Sequence, residues 1–485
     1  RHSTVIDRLF SLVEQGPTDP EYNYVIDAVL KLAGFDGYRY RQILNIPWDR
    51  RTESNIKAED EWHFDDELFA RLLDILHRLG HYDTVQNKNL FYTEKLNRAG
   101  LSFGDIQSLE DLQKVPFTTK SELMEAQEQS PPFGTNLTFP ESAYTRFHQT
   151  SGTTGVPLRV LDTEESWKWW GHCWGFVMAA AGLTAEDRLF VPFSFGPFIG
   201  FWAAVEGSRE VSAMMIPGGG RDSLQRLQLM KELGATAMCC TPTYALRLAE
   251  VAREENFDLD QIPLRLAIHA GEPGANVPAT KQRIEKTWGI KCFDHAGASE
   301  IGAHSFECAE QPGGIHVNES EFIVEVVDPK TLDPVPEGEE GELILTNLSR
   351  IGFPIIRYRT GDLVRLNQAP CACGRTFARF EGGVLGRADD MVVIRGVNVF
   401  PSAVENLVRR CDAIVEFRIR VSSLGEMSEL NVEIELQPGT DLNAAQEQVH
   451  HEISSGLGLR PEVKVVEPGT LPRFEMKAKR FLRSS

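Results

Sequence analysis

The chain has 485 residues, 42% hydrophobic and 25% charged, so it is long enough for roughly two to four domain-sized units and has the composition of a globular enzyme rather than a disordered segment. Its formal net charge of -20 excludes nonspecific nucleic-acid binding, which needs a basic footprint, but leaves small anionic ligands open because they respond to local charge. No apolar run approaches the ~18 residues of a membrane span, and the opening Arg1-His2-Ser3-Thr4 lacks a leader pattern, so the expected location is cytoplasmic.

In chain order, residues 1–85 read as a helical extension, with apolar spacing over 68–79 and no interpretable motif. Residues 86–386 then alternate short apolar runs with amphipathic stretches. Strands are expected at 188–191, 236–240 and 264–269, with helices at 224–233 and 244–254, the rhythm of α/β layers around parallel strands. Segments 321–327 and 341–347 flank a Pro- and Gly-bearing turn and predict antiparallel strands of a β-rich subdomain. Beyond the polar Gly386-Arg-Ala-Asp-Asp390 boundary, residues 387–485 form a smaller α+β unit. Its expected strands are 391–394, 415–421, 429–436 and a last one at 463–466, with helices at 402–410 and 444–454. The fold class is therefore multidomain α/β with a small C-terminal α+β domain. Arg473, Lys477, Lys479, Arg480 and Arg483 crowd the C-terminus, which by composition alone reads as a solubilising tail.

The most informative run is His148-Gln-Thr-Ser-Gly-Thr-Thr-Gly-Val-Pro157. Alternating small hydroxyl residues and glycines let backbone N–H groups and hydroxyls face one anion, as phosphate binding requires without a cationic cluster. The Gly-Lys-Ser/Thr ending of a Walker A loop is absent. Three further segments follow in order. Ala270-Gly-Glu-Pro273 leaves a predicted strand, where α/β proteins bind ligands. Asp294-His-Ala-Gly-Ala-Ser-Glu300 ends in a carboxylate suited to magnesium. Tyr358-Arg-Thr-Gly-Asp362 places a carboxylate on a turn, able to accept both hydroxyls of a ribose. Each is compatible with a plain turn; their succession is not a chance pattern.

Together with Gly386-Arg-Ala-Asp-Asp390, Arg395-Gly-Val-Asn-Val-Phe-Pro401 and Lys477, these segments resemble the adenylate-forming superfamily of acyl-coenzyme A synthetases, and the phenylacetate–coenzyme A ligase branch in particular, over residues 90–485. The resemblance implies an ATP-dependent ligase that adenylates a carboxylic acid, then transfers the acyl group to coenzyme A. It assigns Ser151, Gly152, Thr153, Thr154 and Gly155 to the ATP phosphates. Ala270, Gly271, Glu272, Pro273, Asp294, His295, Ala296, Gly297 and Ser299 would line the adenine. Glu300 would hold magnesium, Asp362 the ribose, with Arg387 close by; Asp389 would be the hinge and Lys477 the adenylation lysine. Lys477 is preferred over Lys479 because the 474–480 segment fits the family's closing pattern of acidic, small, then lysine. A homodimer is implied by the same resemblance.

Two departures stand out. Val156 and Leu158 occupy positions where many relatives carry a lysine, and Ala296 replaces the adenine-stacking aromatic, with His295 either supplying a ring or serving as a structural histidine. Phe193, Phe195 and Phe198 surround Gly196 and Pro197 and read either as core or as an aromatic wall for the acid. Of eight cysteines, Cys173, Cys239, Cys240, Cys292 and Cys411 read as buried thiols. Cys308, His316, Cys371 and Cys373 match a closed structural zinc site, the alternative being reduced cysteines near a β-turn. Two rival functions share these motifs: an adenylating enzyme that loads a carrier-protein thiol, and an adenylate-binding regulator without turnover.

Overall fold

The structure is a computed structural model that describes residues 88–484 except 107, 151–155, 194, 198, 396, 425–426 and 475–477. The helical extension expected at 1–85 lies outside the described residues.

Apolar runs in the middle of the chain become the parallel half of a 12-stranded sheet. Its strands lie in the order Met214–Pro217, Arg188–Val191, Ala237–Cys240, Leu266–His269, Lys291–Ala298. Ala237–Cys240 and Leu266–His269 are buried at every position, as expected for strands covered on both faces. Connecting helices start where the sequence supplies caps. The Thr241 hydroxyl accepts from the Tyr244 N–H and Pro242 takes the first turn of helix Pro242–Glu254, while helix Pro278–Trp288 stops at Gly289 with φ 68°.

Lys291–Ala298 is the pivot. Its first half pairs in parallel with Leu266–His269, its second half antiparallel with Gly302–Phe306, with a register shift between Ala296 and Gly297. The sheet continues antiparallel through Gly314–Val317, Arg379–Glu381, Tyr358–Asn367, Glu340–Asn347 and Phe322–Val327. The strands read from sequence as a β-rich subdomain are antiparallel as expected, yet they extend the same sheet. That continuity depends on the double pairing of one strand, which no local pattern announces.

Helix Glu164–Ala180 crosses helix Ile199–Glu210 so closely that a Cβ on Gly207 would lie 2.4 Å from the Trp174 Cβ. Around them Trp167, Trp169, Trp170, Trp174 and Phe190 join the large core. Burying each such aromatic contributes about 1.5–3 kcal/mol before entropy is counted.

A second core, from Ile394 to Val463, is distinct. It lies between a four-stranded sheet ordered Glu462–Val465, Met427–Leu436, Ile414–Leu424, Phe481–Ser484 and the helices Pro401–Arg409 and Leu442–Leu457. The last strand expected in this unit is 463–466, but a further one follows: Phe481–Ser484 adds in parallel to Ile419–Ser422. The tail reading is corrected for the same region. Arg480 is 9% exposed and paired bidentately with Glu416, and Arg473 bridges Glu250 and Glu435. Among the described residues no helix is long and apolar enough to cross a membrane.

Candidate active site

Strands Tyr144–Gln149 and Arg159–Thr163, which flank the Ser/Thr/Gly segment in sequence, pair antiparallel. The base of that segment is closed by Thr150 N–H to the Leu158 carbonyl at 2.9 Å and Leu158 N–H to the Thr150 hydroxyl at 3.0 Å. Ser151, Gly152, Thr153, Thr154 and Gly155 themselves lie outside the described residues, as do Phe198 and Lys477. The Gln149 N–H donates to the Pro197 carbonyl at 2.8 Å, which ties the aromatic 193–198 segment to the foot of this loop. Phe193 is buried facing Tyr244, and the half-buried Phe195 packs at 4.6 Å on Trp202.

Ala270, Gly271, Glu272 and Pro273 leave the C-terminal end of Leu266–His269, next to the start of helix Pro242–Glu254. Asp294, Ala296 and Ser299 are half-buried and Gly297 is exposed. The two readings of His295 are separated by its contacts. Its ring is 6% exposed, Nδ1 meets the Ser305 carbonyl at 2.6 Å, and it packs at 4.4 Å on Trp174. Burial holds its pKa at about 4, so the structural reading is the observed one. Burial, with Glu307 next in weight, pushes the Asp294 carboxyl up to about 7.

The end of this segment is fixed from behind. Arg350 donates to the Ser299 carbonyl at 2.9 Å while paired with the fully buried Asp162. Gly302 turns the chain at φ 140°, where a Cβ would lie 2.5 Å from the Trp169 ring. Glu300 is 6% exposed, and its Oε1 accepts from the Tyr358 hydroxyl at 2.8 Å and lies 3.8 Å from the Lys120 ammonium. Both contacts fall on Oε1, so Oε2 remains an oxygen donor of the kind magnesium takes. Lys120 was not singled out from sequence. It opens helix Lys120–Gln129 behind the Thr119 cap, and only tertiary folding brings it to Glu300.

Asp362 and Arg387 face each other across paired strands, with Arg387 Nη1 3.4 Å from Asp362 Oδ1 and Nε 2.9 Å from Asp389 Oδ1. The expected ribose carboxylate, the nucleotide-side arginine and the expected hinge thus form one charged chain. The segment after Lys477 reaches the same region, its Ala478 N–H donating to Glu272 Oε2 at 2.7 Å.

The cysteine cluster is separate. The ligand atoms of Cys308, His316, Cys371 and Cys373 all lie within 4.8 Å of one another, and all four residues are buried. Cys308 and Cys371 sulfurs are 3.6 Å apart, and Cys373 Sγ is 3.4 Å from His316 Nε2. A tetrahedral ion with bonds of about 2.3 Å spaces its ligands about 3.8 Å apart, so the set fits zinc. His316 Nδ1 meets the Phe377 carbonyl at 3.0 Å, which aims Nε2 at the cluster.

The profile of the AMP-binding enzyme family matches residues 110–348, and that of the AMP-binding enzyme C-terminal domain matches 396–484. The chain is 32% identical over 431 residues to a phenylacetate-coenzyme A ligase of Thermus thermophilus, covering 84% of this chain and 95% of that protein. It is 33% identical over 398 residues to the Escherichia coli phenylacetate-coenzyme A ligase, covering 80% and 88%. Among solved structures, a 2-hydroxyisobutyryl-CoA ligase in its postadenylation state with 2-HIB-AMP superposes with a TM-score of 0.81 at 28% identity, over 90% of this chain and 96% of that one. The same ligase with CoA in the thioesterification state gives 0.64 at 30% identity, over 86% and 90%. The chain belongs to the adenylate-forming AMP-binding enzymes, in the branch of the phenylacetate–coenzyme A ligases.

Proposed function

We propose that this chain is an AMP-forming acid–thiol ligase: it adenylates an aromatic carboxylic acid with ATP and then transfers the acyl group to coenzyme A. The observation that carries this reading is convergence. Ala478, next to Lys477, donates to Glu272 in the loop that leaves the C-terminal end of strand Leu266–His269, and Arg387 pairs with Asp362, as an adenylating site of this kind requires.

A carboxylate is a poor electrophile, so its oxygen first attacks the α-phosphorus and pyrophosphate leaves. Charge then grows on the phosphoryl oxygens, where Lys477 and the 151–155 loop would act by position and electrostatics. Glu300 would hold magnesium, which neutralises phosphate charge when bound. Lys120, 3.8 Å from Glu300, would add a cation beside that carboxylate. Asp362 would accept the ribose hydroxyls. The thiol of coenzyme A then attacks the mixed anhydride and AMP leaves.

Residues 387–485 would move as a unit about Asp389 between the two half-reactions. The better superposition on a postadenylation ligase supports reading the present arrangement as the one in which Lys477 serves adenylation. The aromatic acid is carried by the likeness to phenylacetate-coenzyme A ligases, and Phe193 and Phe195, in the segment tied to the foot of the loop, would border its pocket. Zinc would staple strand Gly314–Val317 to Cys308 and the 371–373 segment without taking part in acyl transfer. Assembly as a homodimer is carried by the resemblance alone.

The test is pyrophosphate release from ATP and magnesium across aromatic and aliphatic acids, with coenzyme A omitted or added and Lys477→Ala run alongside. Release that depends on an aromatic acid, collapses in the variant and gives a thioester only with coenzyme A is expected. Measurable ATP binding with no release for any acid would overturn the reading.

A further inference from the structure

Glu272 stands in the loop assigned to the adenine, yet its carboxylate is committed elsewhere. Oε1 accepts the Thr243 N–H at 2.9 Å, and Oε2 accepts the Ala478 N–H at 2.7 Å. Thr243 is in the first turn of helix Pro242–Glu254, where backbone donors lack helical partners and the helix dipole favours an anion. Ala478 belongs to the small domain and is the immediate neighbour of Lys477. One carboxylate therefore spans one backbone donor from each domain.

The surrounding contacts point the same way. The Thr243 hydroxyl is met from the small domain by Arg480 at 3.1 Å, and Arg480 is held by Glu416. Farther along the same helix, Glu250 accepts from Arg473 at 3.0 Å. Helix Pro242–Glu254 thus forms part of the face on which the small domain rests, beside helix Pro278–Trp288, whose Ala279 N–H donates to Asn406 Oδ1 at 3.1 Å. Among the described residues, the Glu272 contact is made by the direct neighbour of Lys477.

We propose that Glu272 is a positioning residue that latches the small domain in its adenylation orientation and so sets the reach of Lys477. The inference rests on the ligase reading above and adds a division of labour to it. Charge-assisted bonds to two N–H groups are roughly twice as strong as neutral ones, and rotation about the hinge has to break the Ala478 bond. Losing the latch therefore weakens the first half-reaction and not the second, which uses the rotated arrangement.

The experiment uses the full chain with Glu272→Gln and Glu272→Ala. Glutamine fills the same space but presents an oxygen to only one of the two N–H groups. Two reactions are followed: acid-dependent exchange of pyrophosphate into ATP, and thioester formation from supplied acyl-adenylate and coenzyme A. The latch predicts a drop in kcat for exchange of about tenfold or more, a KM for ATP within about twofold of the parent, and thioester formation reduced far less or accelerated. A raised KM for ATP with kcat intact would make Glu272 a nucleotide contact and overturn the latch. An equal fall in both half-reactions, or in neither, would overturn it as well. If the unsubstituted protein runs neither half-reaction, the ligase reading falls, and the latch with it.

Discussion

Arg350 and Asp162, 188 residues apart, form a two-pronged ion pair with both side chains at 0% exposure, Nε to Oδ1 at 2.8 Å and Nη2 to Oδ2 at 2.7 Å. The third nitrogen reaches the Ser299 carbonyl, and the guanidinium lies 5.1 Å from the Trp170 ring. Removing one partner strands a buried charge, at a cost of about 3–5 kcal/mol. Arg350→Met or Asp162→Leu alone should therefore melt well below the parent, while the double variant should recover much of the loss. Adenylation should stay depressed in the double variant, because Ser299 and Glu300 have lost their anchor. Thermal melting and pyrophosphate exchange check the two halves. A double variant no more stable than either single one would refute the pairing argument.

The cysteine cluster predicts about one zinc per purified chain by elemental analysis. Cys373→Ser should lower that content and the melting temperature together, because ligand loss is folding energy lost. Strong chelation should do the same to the parent. Surviving enzyme should keep its ratio of adenylation to thioester formation, since the cluster is built from strand Gly314–Val317, Cys308 and the 371–373 segment and includes none of the residues assigned to the nucleotide. Full stability with no bound metal would show that the four groups are merely neighbours.

Legibility followed locality. The strands Arg188–Val191, Ala237–Cys240 and Leu266–His269 and the helices Ser223–Glu232 and Pro242–Glu254 were readable because doubly covered strands are short apolar runs and these helices carry local caps, whereas helix Ile199–Glu210 and the half-exposed strand Met214–Pro217 between them were not. Cys371-Ala-Cys373 marked its cluster for the same reason. Phe481–Ser484 was not readable: beside arginines and serines its alternation looks like a tail, and only pairing with Ile419–Ser422 makes it a strand. Lys120 beside Glu300, Arg350 on Asp162 and Ala478 on Glu272 are meetings of distant segments. Each residue alone has the commonplace role of a surface lysine, a loop arginine or an alanine. The doubly paired Lys291–Ala298 is likewise a property of its neighbours.

Acid should destabilise the protein from pH 6.5 downward. Burial holds His148, His269 and His295 at about 4, against 6.5 when exposed. Below pH 6.5 the unfolded chain takes up protons that the folded chain refuses until about pH 4, so this stability is complete above 6.5 and is lost as pH falls through that window. Asp294, pushed up to about 7, has the opposite sign and offsets part of the loss. His295→Asn keeps an N–H for the Ser305 carbonyl and removes one titrating ring. The difference between its melting temperatures at pH 7.5 and pH 5 should be smaller than the parent's. Equal differences would mean that His295 does not carry the effect.

Ala296 gives the sharpest test of how the nucleotide is held. It is half-buried at the register shift of Lys291–Ala298, and its neighbour His295 is committed to Ser305 and Trp174. No ring from this pair is therefore offered to an adenine. Stacking of a base on an aromatic side chain is worth about 1–3 kcal/mol. Ala296→Tyr should lower the KM for ATP in pyrophosphate exchange by about tenfold, with the preference among acids unchanged. A KM that stays put in a variant with a normal melting temperature would mean that the adenine does not lie against this strand, and that Ala270, Gly271 and Pro273 hold it from the other side.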